Sequence, residues 1–173
     1  TDRRQQLEIY MRRKLDRWPV SVLPRYRVDR ALVALPAIAK RIPPRVLAAV
    51  MRTLWNGWCT SRRFQHARHS CMFGCQFGED SVEHYGRCPC LWRVFTKHFR
   101  PSWAPQPENR LATFLLLCVP CRRVQENEDK LCSYALFTAA AYATHNTWRH
   151  HPSMQPAAVT AALEQHIREL RSP

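Results

Sequence analysis

The sequence predicts an all-α fold: a small helical domain with one embedded loop of cysteines and a histidine. Three observations point there. Apolar residues recur at three- and four-residue spacing along most of the chain. Prolines punctuate those stripes where helices end or begin. No convincing strand pair and no internal repeat is visible. At 173 residues, 46% of them hydrophobic and six of them Trp, the chain is long enough to bury a core.

The elements follow in order. Leu7, Met11, Leu15 and Trp18 form one apolar stripe, with Arg3, Arg4, Arg12, Arg13, Lys14 and Arg17 around it. Pro19 and Pro24 end that helix. Asp29 then precedes Leu32 and Leu35, and Pro36 interrupts. Pro44 suits the first turn of a helix that buries Leu47, Val50, Met51, Leu54 and Trp58, with Gly57 at its fraying end. Residues 59–80 have loop character. Pro89 to Phe99 makes a short helix with Leu91, Trp92, Phe95 and Phe99 on one side. Pro101–Pro107 is a linker with three prolines. Helical segments follow at about 108–119, 127–148 and 156–171. Glu126, Glu128 and Asp129 at the start of the middle one, and Arg149, His150 and His151 at its end, complement the helix dipole. By chemistry, the chain divides into a basic helical segment (1–60), a cysteine-loop region (61–100) and a C-terminal helical segment packing on it (101–173).

Charge narrows the partners. There are 27 Lys+Arg against 13 Asp+Glu, a formal +14. Only Lys14, Lys40, Lys97 and Lys130 are lysines, so 23 are Arg, whose planar fork suits phosphate and stacks on bases. Residues 1–70 carry 16 basic and 4 acidic side chains; residues 71–173 carry 11 and 9. Such one-sidedness points to a polyanion-binding surface, with a solvated face or an acidic protein partner as the alternatives. The polar start, Thr-Asp-Arg-Arg-Gln-Gln, shows no signal peptide, so an intracellular setting, nucleus or cytoplasm, is expected. Reduced thiols and metal binding are then favoured over disulfides. The longest apolar run, near Phe114–Val119, is too short to span a bilayer, and no membrane partner is expected. The first residue is not Met, which leaves open a fragment of a longer chain.

The segment Cys71-Met-Phe-Gly-Cys75-Gln-Phe-Gly-Glu-Asp80-Ser-Val-Glu83-His84-Tyr-Gly-Arg-Cys88-Pro-Cys90 carries the local chemistry. Zinc takes four Cys or His ligands in a tetrahedron. Cys71 and Cys75 supply one edge, and Gly74 and Gly78 let the loop turn back. Asp80-x-x-Glu83 looks like a capping box. It would place His84 and Cys88, four apart, on one helical face as the opposite edge. Cys90 competes with Cys88 as fourth ligand; the four-residue spacing favours Cys88. Buried free thiols or a disulfide are the alternatives. Cys118-x2-Cys121, Cys132 and Cys59 read as core or unpaired thiols. Arg52, Arg62, Arg63, His66, Arg68 and His69 crowd the approach to this loop, with Trp58 and Phe64 among them. Cations with aromatics suit a single strand, whose phosphates pair with Arg while its bases stack. Trp58 reads as core from its place on a helix stripe; Phe64 is open between core and platform.

The stretch Leu54–Trp92 resembles the C-terminal zinc-knuckle tail of non-LTR retrotransposon reverse transcriptases. The matching features are the pair Cys71 and Cys75, the spacer Gly78-Glu79-Asp80-Ser81, then Glu83-His84-Tyr85 and Cys88-Pro89. The preceding Trp55-Asn56-Gly57-Trp58-Cys59-Thr60-Ser61-Arg62-Arg63-Phe64 is similar to the basic lead-in. The chain departs from the family pattern by one extra residue within the Cys pair and by three residues, not four, before the last Cys. The resemblance implies a nucleic-acid-binding tail in a ribonucleoprotein, RNA ranked ahead of DNA, with upstream reverse-transcriptase domains as partners and residues 1–60 thumb-like or a linker to them. It does not imply catalysis in this chain. A polymerase palm needs paired aspartates for two metal ions, and no Asp-Asp pair exists here. A catalytic zinc keeps an open position, which four protein ligands close. The competing class is a structural or protein-interaction fragment of a domesticated element.

Overall fold

Proline chemistry sets several helix starts. Pro44, Pro89 and Pro156 each sit in a first turn, where a missing N–H removes a donor that has no partner within the helix anyway. The computed structural model describes residues 2–16, 28–64, 69–76, 78–117, 124–151 and 155–172. Among them are nine α-helices: α1 (Arg3–Leu15), α2 (Val28–Ala39), α3 (Pro44–Leu54), α4 (Ser61–Phe64), α5 (Val82–Arg87), α6 (Pro89–His98), α7 (Arg110–Phe114), α8 (Val124–Trp148) and α9 (Pro156–Arg171). Two 3-10 turns, Pro101–Trp103 and Pro107–Asn109, fill the proline-rich stretch before α7. The described residues form no strand; Ser70 and Glu79 make an isolated antiparallel bridge. The chain is all-α, as its periodicity predicts. No helix among the described residues is long and apolar enough to cross a membrane.

α8 is the axis. α2, α3, α7 and α9 pack on it, α9 also meets α6, α5 lies on α7, and α1 on α2. Leu131, Tyr134, Ala135, Phe137 and Ala139–Ala141 are all buried, so its apolar residues are spread around the helix rather than confined to a stripe. That is the pattern of a helix enclosed by neighbours. One contiguous apolar cluster runs from Met11 to Ile167. Within it Trp92, Phe95 and Phe137 interlock at centroid distances of 5.1–5.2 Å. Ion pairs tie the outside. Arg41, just past α2, reaches Glu128 at 3.2 Å and Asp129 at 2.5 Å, and Lys97 reaches Glu164 at 2.7 Å.

Several boundaries differ from the sequence expectation. α2 runs through Pro36 instead of stopping there. An interior proline costs about 3 kcal/mol, but Ala31, Ala34, Leu35 and Ile38 are buried on either side of it and hold the helix. α3 ends at Leu54, short of Gly57. Asn56 takes φ 51, and the Gly57 N–H closes on the Arg52 carbonyl at 2.6 Å. Trp58 is buried, but from the loop beyond the helix. The buried face of α3 is Val46, Ala49, Val50, Thr53 and Leu54; Leu47 and Met51 are half-buried. α7 stops at Phe114, not 119, because Leu116 takes φ 55 and the Leu117 N–H returns to the Ala112 carbonyl at 2.7 Å. The Thr138 hydroxyl on α8 satisfies the Phe114 carbonyl at 2.9 Å. Arg17, Trp18, Pro19, Pro24, Cys118 and Cys121 lie outside the described residues.

Candidate metal centre

Three of the four ligands chosen from sequence meet. The ligand atoms of Cys71, His84 and Cys88 lie within 4.8 Å of one another, and the two sulfurs are 3.7 Å apart. Each arrives by a different device. Cys71 follows the Ser70–Glu79 bridge, its N–H bonded to the Gly78 carbonyl at 2.8 Å. His84 is carried by α5. Cys88 is the junction of α5 and α6, held out of helical geometry (φ −55, ψ 119), the conformation that a following proline favours. Gly74 reverses the loop at φ 79 and abuts Pro156, the first residue of α9. Gly78 lies under the His84 imidazole so closely that a Cβ would overlap the ring.

His84 Nε2 is buried without a hydrogen-bond partner. A buried ring nitrogen left unpaired costs free energy, and beside two thiols it completes a donor set that a metal ion satisfies. The trio can hold a metal ion. Cys75 is half-buried, and its sulfur stands outside that close group. It lies near Cys71, while the half-buried Cys90 lies near Cys88, so each flanks the trio. The metal-free thiols differ from one another. The hydrogen bond with Cys88 draws Cys71 below the ordinary thiol value, against its burial and helped by the Phe73 and Cys75 amides. Cys88 is pushed up to about 12 by the same hydrogen bond and by burial.

The expected capping box is replaced by another arrangement. Ser81 is the N-cap of α5, its hydroxyl accepting from the His84 N–H at 3.1 Å. Asp80 instead turns inward and is only 7% exposed. Its Oδ2 accepts the Ser61 N–H at 2.6 Å. Its Oδ1 accepts from the Tyr85 hydroxyl at 2.7 Å and lies 3.0 Å from Nε2 of the fully buried His145 on α8. Burial disfavours the Asp80 charge, but the bonds from His145, Ser61 and Tyr85 outweigh it and hold the carboxyl below its usual range. Burial and that charge push Tyr85 up. Trp58 closes the site, its ring 5.1 Å from His145 and 5.7 Å from Tyr85, with Nε1 donating to Thr53 Oγ1 at 2.8 Å. Asp80 thus joins the metal loop, α4, α5 and α8. Sequence reasoning missed this hub, since no local signal marks a partner 65 positions away.

The residues chosen for nucleic acid separate. Arg62 Nη1 pairs with Glu79 at 2.6 Å and lies 4.0 Å from Glu83. Arg52 Nη1 leans on α8, donating to the Tyr142 hydroxyl at 3.0 Å. Arg63 Nη1 donates to the Trp58 carbonyl at 3.2 Å, and its guanidinium stands 5.4 Å from the Phe64 ring centroid. Phe64 is 50% exposed, which resolves its open assignment in favour of the surface. His69 is exposed, with its N–H 3.3 Å from Ser61 Oγ. His66 and Arg68 lie outside the described residues. α4 is therefore bound to the metal loop on both sides, and it presents Arg63 and Phe64 outward. No protein-family model, curated protein or solved structure matches the chain.

Proposed function

We propose that this chain is a zinc-dependent module that binds RNA or single-stranded DNA, RNA in preference, and forms the non-catalytic tail of a retroelement reverse transcriptase. The observation that carries the reading is the exposed Phe64 ring with Arg63 beside it, on a helix bonded to the metal loop, in a chain of net charge +14. A base stacks on such a ring while the guanidinium meets its phosphate. Zinc is the metal assigned. A tetrahedron with metal–sulfur bonds of about 2.3 Å has an edge of about 3.8 Å, and the Cys71 and Cys88 sulfurs stand 3.7 Å apart. The metal acts at a distance: it fixes the loop, the loop presents Asp80 to the Ser61 amide, and α4 is held in place. A fourth protein ligand, Cys75 or Cys90, closes the shell, so the metal is structural.

Titration with single-stranded RNA and DNA at several salt concentrations tests this. Phe64→Ala is expected to weaken binding by about 1–3 kcal/mol with little change in salt slope. Arg63→Ala is expected to reduce the magnitude of the slope by about 0.7. Chelation of the metal weakens both interactions together. Absence of binding to any RNA or DNA at low salt refutes the reading. A second reading, a fragment that docks in a larger protein assembly, is favoured by one feature: Ile9, Tyr10 and Val33 on α1 and α2 are 44, 48 and 59% exposed.

A further inference from the structure

The C-terminal end of α8 and the back of the metal loop line a pocket of about 380 Å³. The loop lines it with His69, Ser70, Met72, Asp80 and the adjoining Tyr85, and the end of α8 with Arg149, His150 and His151. Arg149 is the unusual member. Its Nε and Nη1 are buried and donate to nothing. Guanidinium donors are strongly polar, and burying them without an acceptor is among the costlier arrangements a fold can keep. Asp80, the acidic residue in this pocket, does not relieve them. Both of its oxygens are committed, Oδ2 to Ser61 and Oδ1 to Tyr85 and His145. The backbone holds Arg149 in place, its N–H bonded to the His145 carbonyl at 2.9 Å. The adjoining turn is fixed by the His151 N–H on the Trp148 carbonyl at 2.9 Å and by their rings, 4.7 Å apart. The last carbonyls of α8 attract cations to this end; the full charge on Arg149 exceeds their partial charge toward an arriving anion.

A ligand for this pocket must be an anion with several acceptor oxygens in a fork-matching geometry, small enough for a cavity of about 380 Å³. A phosphate group meets that description: the side-on fork of Arg pairs Nε with Nη2 and the end-on fork pairs Nη1 with Nη2, so either fork engages two of its oxygens and gives one of the two unpaired donors an acceptor. We propose that the pocket is a phosphate subsite, in which Arg149 receives a backbone phosphate of the bound strand while the exposed His69 and His150 flank it. The strand as source rests on the nucleic-acid reading above; the subsite itself does not. The pocket shares the metal loop with α4 through Ser70 and the Ser61–His69 hydrogen bond, so a strand stacked on Phe64 and a phosphate on Arg149 would engage two faces of one loop.

The test uses the metal-loaded chain and two probes, inorganic phosphate and a mixed-sequence single-stranded RNA. NMR of the arginine Nε–H signals follows Arg149. Phosphate is expected to shift that signal saturably, and RNA to shift it at lower concentration. Arg149→Ala is expected to keep its Tm and its metal, because the lost donors bond nothing in the free protein. It should weaken RNA binding about tenfold and lower the magnitude of the salt slope by about 0.7. Arg149→Lys should restore the slope but not the affinity, since a point charge replaces a fork. RNA binding with an unmoved Arg149 signal and an unchanged slope in Arg149→Ala overturns the subsite and leaves the nucleic-acid reading standing. A phosphate-induced shift in a chain that binds no RNA or DNA upholds the subsite and overturns the strand as its source. No shift with either probe overturns the subsite, even if Arg149→Ala fails to fold.

Discussion

Asp80→Asn removes one charge from the hub and leaves its size nearly unchanged. The substitution keeps an acceptor for Tyr85 and His145 but turns an amide NH2 toward the Ser61 N–H, where an oxygen now accepts at 2.6 Å. A donor then faces a donor in a site that is 7% exposed at residue 80 and 8% at Ser61. Breaking a buried hydrogen-bonded pair of this kind costs about 3–5 kcal/mol. With an unfolding entropy of about 2.1 cal/mol/K per residue, a chain of 173 residues converts that into a Tm drop of about 8–14 °C. Differential scanning calorimetry of the metal-loaded protein reads it directly. A cycle with His145→Ala isolates the pair: the double variant should fall short of the summed single effects by about 1–3 kcal/mol. A drop of under about 2 °C (about 0.7 kcal/mol by the same conversion), or strict additivity in the cycle, refutes the view that this carboxylate holds the metal loop to α8. Metal content adds a second readout, since a loosened loop also binds metal more weakly.

Elemental analysis should find one equivalent of metal; Cys71→Ser and Cys88→Ser should each abolish it, and whichever of Cys75→Ser and Cys90→Ser lowers affinity more identifies the fourth donor. Gly78→Ala drives a methyl into the His84 ring and should cost about 10–100-fold in metal affinity, as loss of ligand orientation does, while far-ultraviolet circular dichroism stays helical; unchanged affinity would mean that His84 is not a ligand. The Asp80 carboxyl lies below its unfolded value, so its contribution is present above the ordinary carboxylate range and disappears as pH falls through the folded value. The Tm gap between wild type and Asp80→Asn should therefore narrow as pH falls below about 4 toward the lower folded value, and a gap that does not narrow in stronger acid contradicts the assignment. Cys88, pushed up to about 12 without metal, is a thiol at neutral pH and must lose its proton on ligation. Calorimetry in buffers of different ionisation enthalpy should detect at least that proton.

Local chemistry made parts of this fold legible. α6 and α9 begin at Pro89 and Pro156 as read, because a first-turn proline is decided by its own neighbours. Cys71, His84 and Cys88 were visible because few residue types bind a metal and their spacing is short. Pro36 shows the opposite case: a local rule yields to the burial of Ala34, Leu35 and Ile38, which belongs to tertiary packing. Leu116 ends α7 in a conformation usually left to glycine, so no turn residue announced it. The flanking roles of Cys75 and Cys90 depend on where two sulfurs lie in space, which spacing alone does not determine. Arg62 looked free for phosphate until Glu79, its neighbour across the loop, came into reach.

The long reach from Asp80 to His145 has a consequence for synthesis. The chain leaves the ribosome from its N-terminus, so every metal ligand emerges before the histidine that braces the loop, 65 residues later than Asp80. At about 5–20 residues per second that interval is roughly 3–13 s. During it the Asp80 carboxylate lacks its partner on α8, and the nascent loop rests on contacts made within residues 61–88, those of Asp80 with Ser61 and Tyr85 and of Arg62 with Glu79. A metal held by Cys71, His84 and Cys88 would therefore act first on this nascent loop, before α8 exists to brace it.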